Sequence, residues 1–193
     1  MGCRPTPRYS RVMQSAVALL RGINVGGHRL VPMADLRAVA ESIGLENPKT
    51  YVASGNLAFA TKKRAGDAAA ELEKALENRF GFAIDVIVRT RDEWQAYLNS
   101  NPFRDAAEAE PKWVWMFLSK QPPRDQAIAE LTAASPSIAV ERTGDAIWVH
   151  FRQGGSMRVL TIKWDRIIGS PSTSRNWRTV QTIGRMLDEV QIG

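Results

Sequence analysis

Between Ala16 and Val88 the chain alternates short apolar runs with helical stripes in an order that few folds accommodate. Ala16–Leu20 is an apolar run closed by Arg21, the length of a buried strand, and Gly22, Gly26 and Gly27 punctuate the loop behind it. From Met33 the apolar positions Leu36, Val39, Ala40 and Ile43 recur at helical spacing before a glycine stop at Gly44, which predicts a helix over 33–43. Lys49–Ala53 and Leu57–Ala60 are β-prone runs joined through Ser54, Gly55 and Asn56. That composition supplies the positive φ of a tight hairpin, so the two runs are expected to pair antiparallel. Leu72, Leu76 and Phe80 then repeat every four residues on an Ala-, Glu- and Lys-rich helix, and Ile84–Val88 follows as a strand after Gly81. The order β-α-β-β-α-β is the ferredoxin-like pattern, in which an antiparallel sheet carries two helices on one face.

The fold class expected is therefore α+β, with a ferredoxin-like first half over 15–98 followed by a second, related α+β half over 112–193. A short helix at 92–98 precedes a linker over 99–111, where Asn101-Pro102-Phe103 disfavours helical geometry. The second half begins β-α-β-β: a strand at Lys112–Leu118, a helix at Pro123–Ala133, and a hairpin of Ile138–Arg142 with Ile147–Phe151 turned at Gly144 and Asp145. Leu160–Trp164 reads as a further strand. From Trp177 the positions Val180, Ile183, Leu187 and Val190 trace an amphipathic C-terminal helix. Residues 1–14 mix Pro, Arg, Ser and Thr without periodicity and read as a disordered leader.

At 193 residues and 44% hydrophobic, the chain can bury a substantial core. No stretch approaches the roughly 18 consecutive apolar residues of a membrane span, and the leader lacks the apolar core of a secretory signal, so no membrane partner and a cytoplasmic location are expected. Cys3 is the single cysteine, which removes an internal disulfide, and with only His28 and His150 besides, no metal site and no cofactor are expected. The formal net charge of +6 suggests nucleic acid until it is divided along the chain. Residues 15–146 hold 16 basic side chains against 17 acidic ones, whereas 147–187 hold seven basic side chains against Asp165 alone. That segment is either a face for phosphates or a solvated surface.

Several spaced motifs carry a resemblance. The run Leu19-Leu20-Arg21-Gly22-Ile23-Asn24-Val25-Gly26-Gly27 is followed by Thr50-Tyr51 with Ser54-Gly55-Asn56, by Asn101-Pro102-Phe103, and by Thr173-Ser174-Arg175-Asn176-Trp177-Arg178-Thr179-Val180. In these the sequence resembles the bacterial proteins grouped as domain of unknown function 1697, over about residues 16–187. The resemblance implies an α+β fold with ferredoxin-like elements and carries over no reaction, catalytic residue or cofactor.

Read by their chemistry, three of these segments suit an anion. The loop from Arg21 to Gly27 places backbone N–H groups and a guanidinium directly after a buried strand, although it matches neither nucleotide-binding glycine fingerprint, and a strained turn would use the same glycines. Ser54 and Asn56 offer a hydroxyl and an amide, or serve only the hairpin. Thr173 or Ser174 is expected to cap the final helix, with Arg175 and Asn176 in its first turn. The ligand-binding set expected is Arg21, Gly22, Asn24, Gly26, Gly27, Ser54, Asn56, Arg175 and Asn176, converging on a small anionic ligand bearing phosphate or carboxylate. The alternatives are a nucleic-acid-binding protein that uses the basic 147–187 segment, and motifs that serve structure alone. Neither histidine stands where it singles out a nucleophile, Trp113 and Trp115 are expected to pack rather than to stack bases, and no pattern specifies an oligomeric state.

Overall fold

Seven residues from Gln14 to Leu20 form β1, and every second side chain of this strand enters a different core. The structure, a computed structural model, describes residues 12–134, 137–151 and 162–190. After β1 come α1 (Met33–Ser42), β2 (Glu46–Tyr51), β3 (Asn56–Thr61), α2 (Ala65–Phe80), β4 (Val86–Thr90) and α3 (Arg91–Asn99). A short α4 (Arg104–Ala109) lies inside the segment expected to be linker. The second half runs β5 (Val114–Ser119), α5 (Ala127–Ala134), β6 (Ile138–Thr143), β7 (Ala146–Phe151), α6 (Trp164–Ile168), β8 (Ser172–Asn176) and α7 (Trp177–Glu189). No helix among the described residues is long and apolar enough to cross a membrane.

The first sheet has the order β2-β3-β1-β4 and the second the order β6-β7-β5-β8, with every neighbouring pair antiparallel. The two halves are thus one topology used twice. Their registers agree as well: Leu20 opposes Val86 and Ala16 opposes Thr90, as Ser119 opposes Ser172 and Trp115 opposes Asn176. In each half the last strand runs straight into a helix capped by its final residue. Thr90 closes a capping box with Glu93 on α3, and the Asn176 side chain accepts from the Thr179 N–H on α7.

Two sequence expectations are corrected here. Trp164 opens helix α6 rather than ending a strand, because Asp165-Arg166-Ile167-Ile168 makes one amphipathic turn that Gly169 stops in the left-handed region at φ 91°. The Leu160 and Thr161 part of that expectation lies outside the described residues. Thr173 to Asn176, expected as the cap and first turn of the last helix, instead belong to β8. That strand has no apolar residue, and its place is fixed by pairing with β5.

Strand alternation sorts the core into three layers. Ala16, Ala18 and Leu20 pack with Leu36, Leu72 and Leu76 under α1 and α2, whereas Val17 and Leu19 turn inward. On β5, Phe117 packs with Leu131 and Trp164 under α5 and α6, while Val114, Met116 and Leu118 turn inward. Between the two sheets Trp94 of α3 and Trp177, Val180, Ile183 and Leu187 of α7 fill one central cluster shared by both halves. Trp113 and Trp115 pack against the outer cluster of the second half.

Candidate functional site

The loop after β1 is shaped by residues that tolerate positive φ. Gly22, Gly26 and Gly27 take φ values of 63°, 61° and 78°, and a Cβ at any of them would meet nothing within 4 Å, so conformation rather than space demands glycine there. Asn24, itself at φ 54°, holds the loop closed. Its amide donates to the Val31 carbonyl (3.0 Å) and the Ala53 carbonyl (2.8 Å), and its Oδ1 accepts from the Val31 N–H (2.8 Å). The loop is thereby tied to the β2–β3 hairpin, where the Gly55 carbonyl accepts from the Leu20 N–H at 2.8 Å.

The three expected segments converge, and Arg175 is where they meet. Its side chain reaches from β8 into the first half and uses all five donors. Nε donates to Asn56 Oδ1, Nη2 to the carbonyls of Ser54 (3.0 Å) and Leu20 (3.4 Å), and Nη1 to Thr173 Oγ1 (2.8 Å) and the Ser174 carbonyl (2.7 Å). Every one of these acceptors is neutral. Burial without a carboxylate pushes the guanidinium down to about 10, still a cation at neutral pH. Asn56 is equally committed, donating to the Tyr51 carbonyl and to Ser54 Oγ, each at 3.0 Å. Asn24, Asn56 and Arg175 thus build the frame, and the Asn176 amide oxygen is spent as a helix cap.

Arg21 points the other way, from the first half onto the second. Its Nε donates to the Ser172 carbonyl (3.0 Å), Nη1 lies 3.5 Å from Asp85, and Nη2 pairs with Asp165. Asp165 in turn accepts from the Ser172 N–H (2.9 Å) and hydroxyl (2.7 Å). Beside this pair opens a cleft of about 730 Å³ lined from both halves: Arg21, Gly22 and Val25 on one side, α6 and residues 172–174 of β8 on the other. Its volume lies within the range of small-ligand sites. Phe117 and Trp164 stack at its base with ring centroids 4.1 Å apart.

Three lining groups hold unused hydrogen-bonding capacity. Lys163 and Arg166, one helical turn apart, are exposed and form no ion pair among the described residues, and the Ser174 hydroxyl has no protein partner among them either. The Gly22 N–H on the opposite wall is likewise unpaired among the described residues. The ligand set expected from sequence left out Lys163 and Arg166, and Ser174 was expected only as a helix cap. Their signal was the excess of basic residues over 147–187, and what hid them was the misread strand at β8, which sets Ser174 opposite Phe117 in the wall of the cleft.

That basic segment does not form one face. Arg175 is buried, Lys163 and Arg166 line the cleft, Arg178 and Arg185 lie on the outer side of α7, and Arg152 and Arg158 fall outside the described residues. The sheet surface that a ferredoxin-like RNA platform presents is covered here, because β1 and β3 pack on both faces.

Comparison with known proteins bears on the fold. The family described as "Protein of unknown function (DUF1697)" matches residues 13–148. The Thr173–Val180 motif lies beyond that stretch. The solved structure of the conserved bacterial protein SP0830 from Streptococcus pneumoniae is similar, with a TM-score of 0.70 at 24% identity, over 91% of this chain and 99% of that one. No curated protein matches the chain.

Proposed function

We propose that this chain, which belongs to the DUF1697 family of proteins of unknown function, binds a small anionic ligand in the cleft between the loop at 21–25 and the α6–β8 segment. The observation that carries the reading is the pair of exposed cations, Lys163 and Arg166, which form no ion pair among the described residues, on the wall of a cleft that is also lined by Ser174 and Gly22. Two neighbouring cations are already matched: Arg21 on the wall has Asp165 and Asp85, and Lys120 beside it has Glu73 and Asp85. Cations kept free beside hydroxyl and backbone donors are what a carboxylate or phosphate requires. Val25, 69% exposed on the lip, and the Phe117–Trp164 stack at the base give an apolar counterpart for the body of the ligand.

The cytoplasm belongs to the same reading, supported by a single cysteine in the whole chain, which has no use for an oxidising compartment. The test is a thermal-shift series with inorganic phosphate, acetate and mononucleotides on the parent and on the Lys163→Ala/Arg166→Ala double variant. Anions are expected to raise the melting temperature of the parent and to lose about tenfold or more in apparent affinity in the variant, the loss of at least one charge-assisted hydrogen bond. Equal stabilisation of both proteins would place the anion elsewhere and end this reading.

A further inference from the structure

Beside the shared core, two arginine-centred junctions between the halves are built to one plan. Arg175 is the fourth residue of β8 and Arg89 the fourth residue of β4, and each reaches across to the other half. Arg175 takes the carbonyl of Leu20, the last residue of β1; Arg89 takes the carbonyl of Ser119, the last residue of β5, at 3.0 Å. Each then turns to the opposite hairpin, Arg175 to Ser54 and Asn56, Arg89 to Asp145 at 2.8 Å. The outer ion pairs correspond as well. Glu73 accepts from the Val86 N–H and from Lys120, just as Asp165 accepts from the Ser172 N–H and from Arg21.

Within this shared plan one difference changes the charge. Arg89 meets a carboxylate, Asp145, which the Tyr97 hydroxyl also supports at 2.7 Å. Arg175 meets an amide, Asn56, one register position further along its hairpin, and no acid among the described residues. A buried cation without a counter-charge is costly, and the fold demonstrates the carboxylate solution at the sister junction. The uncompensated charge stands one hydrogen bond from the cleft: Arg175 donates to the Thr173 hydroxyl and the Ser174 carbonyl, and both residues line it. By accepting from Arg175, the Thr173 hydroxyl is left with its own proton to donate.

Building on the cleft reading above, we infer that Arg175 lacks a carboxylate because the bound ligand is its counter-ion, and that this ligand is a dianion of the phosphate-monoester class. Charge supports the class. Around the cleft and the adjoining ion pairs the described residues place six cations (Arg21, Lys120, Arg124, Lys163, Arg166, Arg175) against four carboxylates (Glu73, Asp85, Glu130, Asp165), an excess of two that a dianion neutralises. Arg175 is here a positioning and electrostatic residue, since its own donors are already occupied within the frame.

The experiment is calorimetric titration of the full chain with inorganic phosphate and, separately, acetate, using the parent, Asn56→Asp, Thr173→Val and Lys163→Ala/Arg166→Ala. Asn56→Asp installs the sister junction's carboxylate and is expected to weaken phosphate about tenfold while narrowing its advantage over acetate. Thr173→Val removes the hydroxyl that accepts from Arg175 on a cleft-lining residue, is gentler on the frame, and is expected to act in the same direction. Circular dichroism confirms that each variant is folded, and Thr173→Val decides the matter if Asn56→Asp is not. Phosphate affinity unchanged in the folded variants but lost in the Lys163/Arg166 double variant would overturn the role of Arg175 and leave the cleft standing. Acetate binding the parent as tightly as phosphate would overturn the dianion class, and no binding of either anion to the parent would overturn both readings together.

Discussion

Glycine 55 is needed for two reasons at once, and Gly26 for one. At φ 77° a side chain on residue 55 would place its Cβ 2.7 Å from Leu20 Cβ and 3.0 Å from Ile23 Cδ1, so strain adds to overlap inside a packed layer. Gly55→Ala should therefore cost about 3 kcal/mol in denaturant titration, against about 1 kcal/mol for Gly26→Ala, whose Cβ would enter open space. Equal costs would contradict the packing given for the hairpin. Tyr97 offers a pH test. Burial, ahead of its contact with Asp145, raises its phenol well above the ordinary value, while Arg89 opposes the shift. Above about pH 10 the unfolded chain ionises this phenol and the folded chain does not. The contribution is thus complete below pH 10 and is lost as pH rises beyond it. Tyr97→Phe should lose less stability than the parent between pH 10 and pH 12, and parallel pH profiles would contradict the buried Tyr97–Asp145 contact. At this scale the sequence disclosed the residues but not their duties. Arg21, Asn24, Asn56 and Arg175 stand out as motif members, yet whether a donor faces a ligand or a carbonyl depends on hairpin placement and on contacts more than 100 residues apart in sequence, such as that of Arg175 with Asn56.

Among the elements, those with an apolar period were legible and those without one were not. The order of the first half follows from alternation and glycine stops, as does the β5, β6 and β7 framework, and α7 was readable from its stripe. Strand β8, Ser-Thr-Ser-Arg-Asn, has no hydrophobic signal; what makes it a strand is an unoccupied edge of β5, a tertiary fact. Because Asn176 ends that strand and caps the next helix, it stands where Thr90 stands in the first half. Thr90→Ala and Asn176→Ala should each lower stability by about 1 kcal/mol, the ordinary value of an N-cap. Anion affinity should be unchanged in Asn176→Ala, since its amide oxygen serves the Thr179 N–H and the residue does not line the cleft. A fall in affinity comparable to that of the Lys163/Arg166 variant would return Asn176 to the ligand.

The whole molecule is two copies of one topology around a central core that neither half owns. Trp94, Trp148, Trp177 and Leu187 lie in a single cluster with Val17 and Leu19 of the first sheet and Met116 and Leu118 of the second. Both halves should therefore melt together, in one calorimetric transition whose enthalpy equals the van't Hoff value; two resolved transitions would contradict a shared core. Sequence periodicity suggested a related second half, but its full equivalence was hidden by the polar last strand and the short α6. The equivalence matters for function because it supplies an internal comparison: where the junctions agree they build the frame, and where they differ, in the hydroxyl-rich strand 172–174, in Lys163 and Arg166 without an ion pair among the described residues and in the amide at residue 56, they mark the cleft. The most direct measurement is an anomalous-difference map from crystals of the parent protein soaked in tungstate, a heavy dianion. A peak is expected in the cleft within hydrogen-bonding reach of Lys163, Arg166 or Ser174, and a well-ordered cleft without such a peak at saturating tungstate would contradict an anion site there.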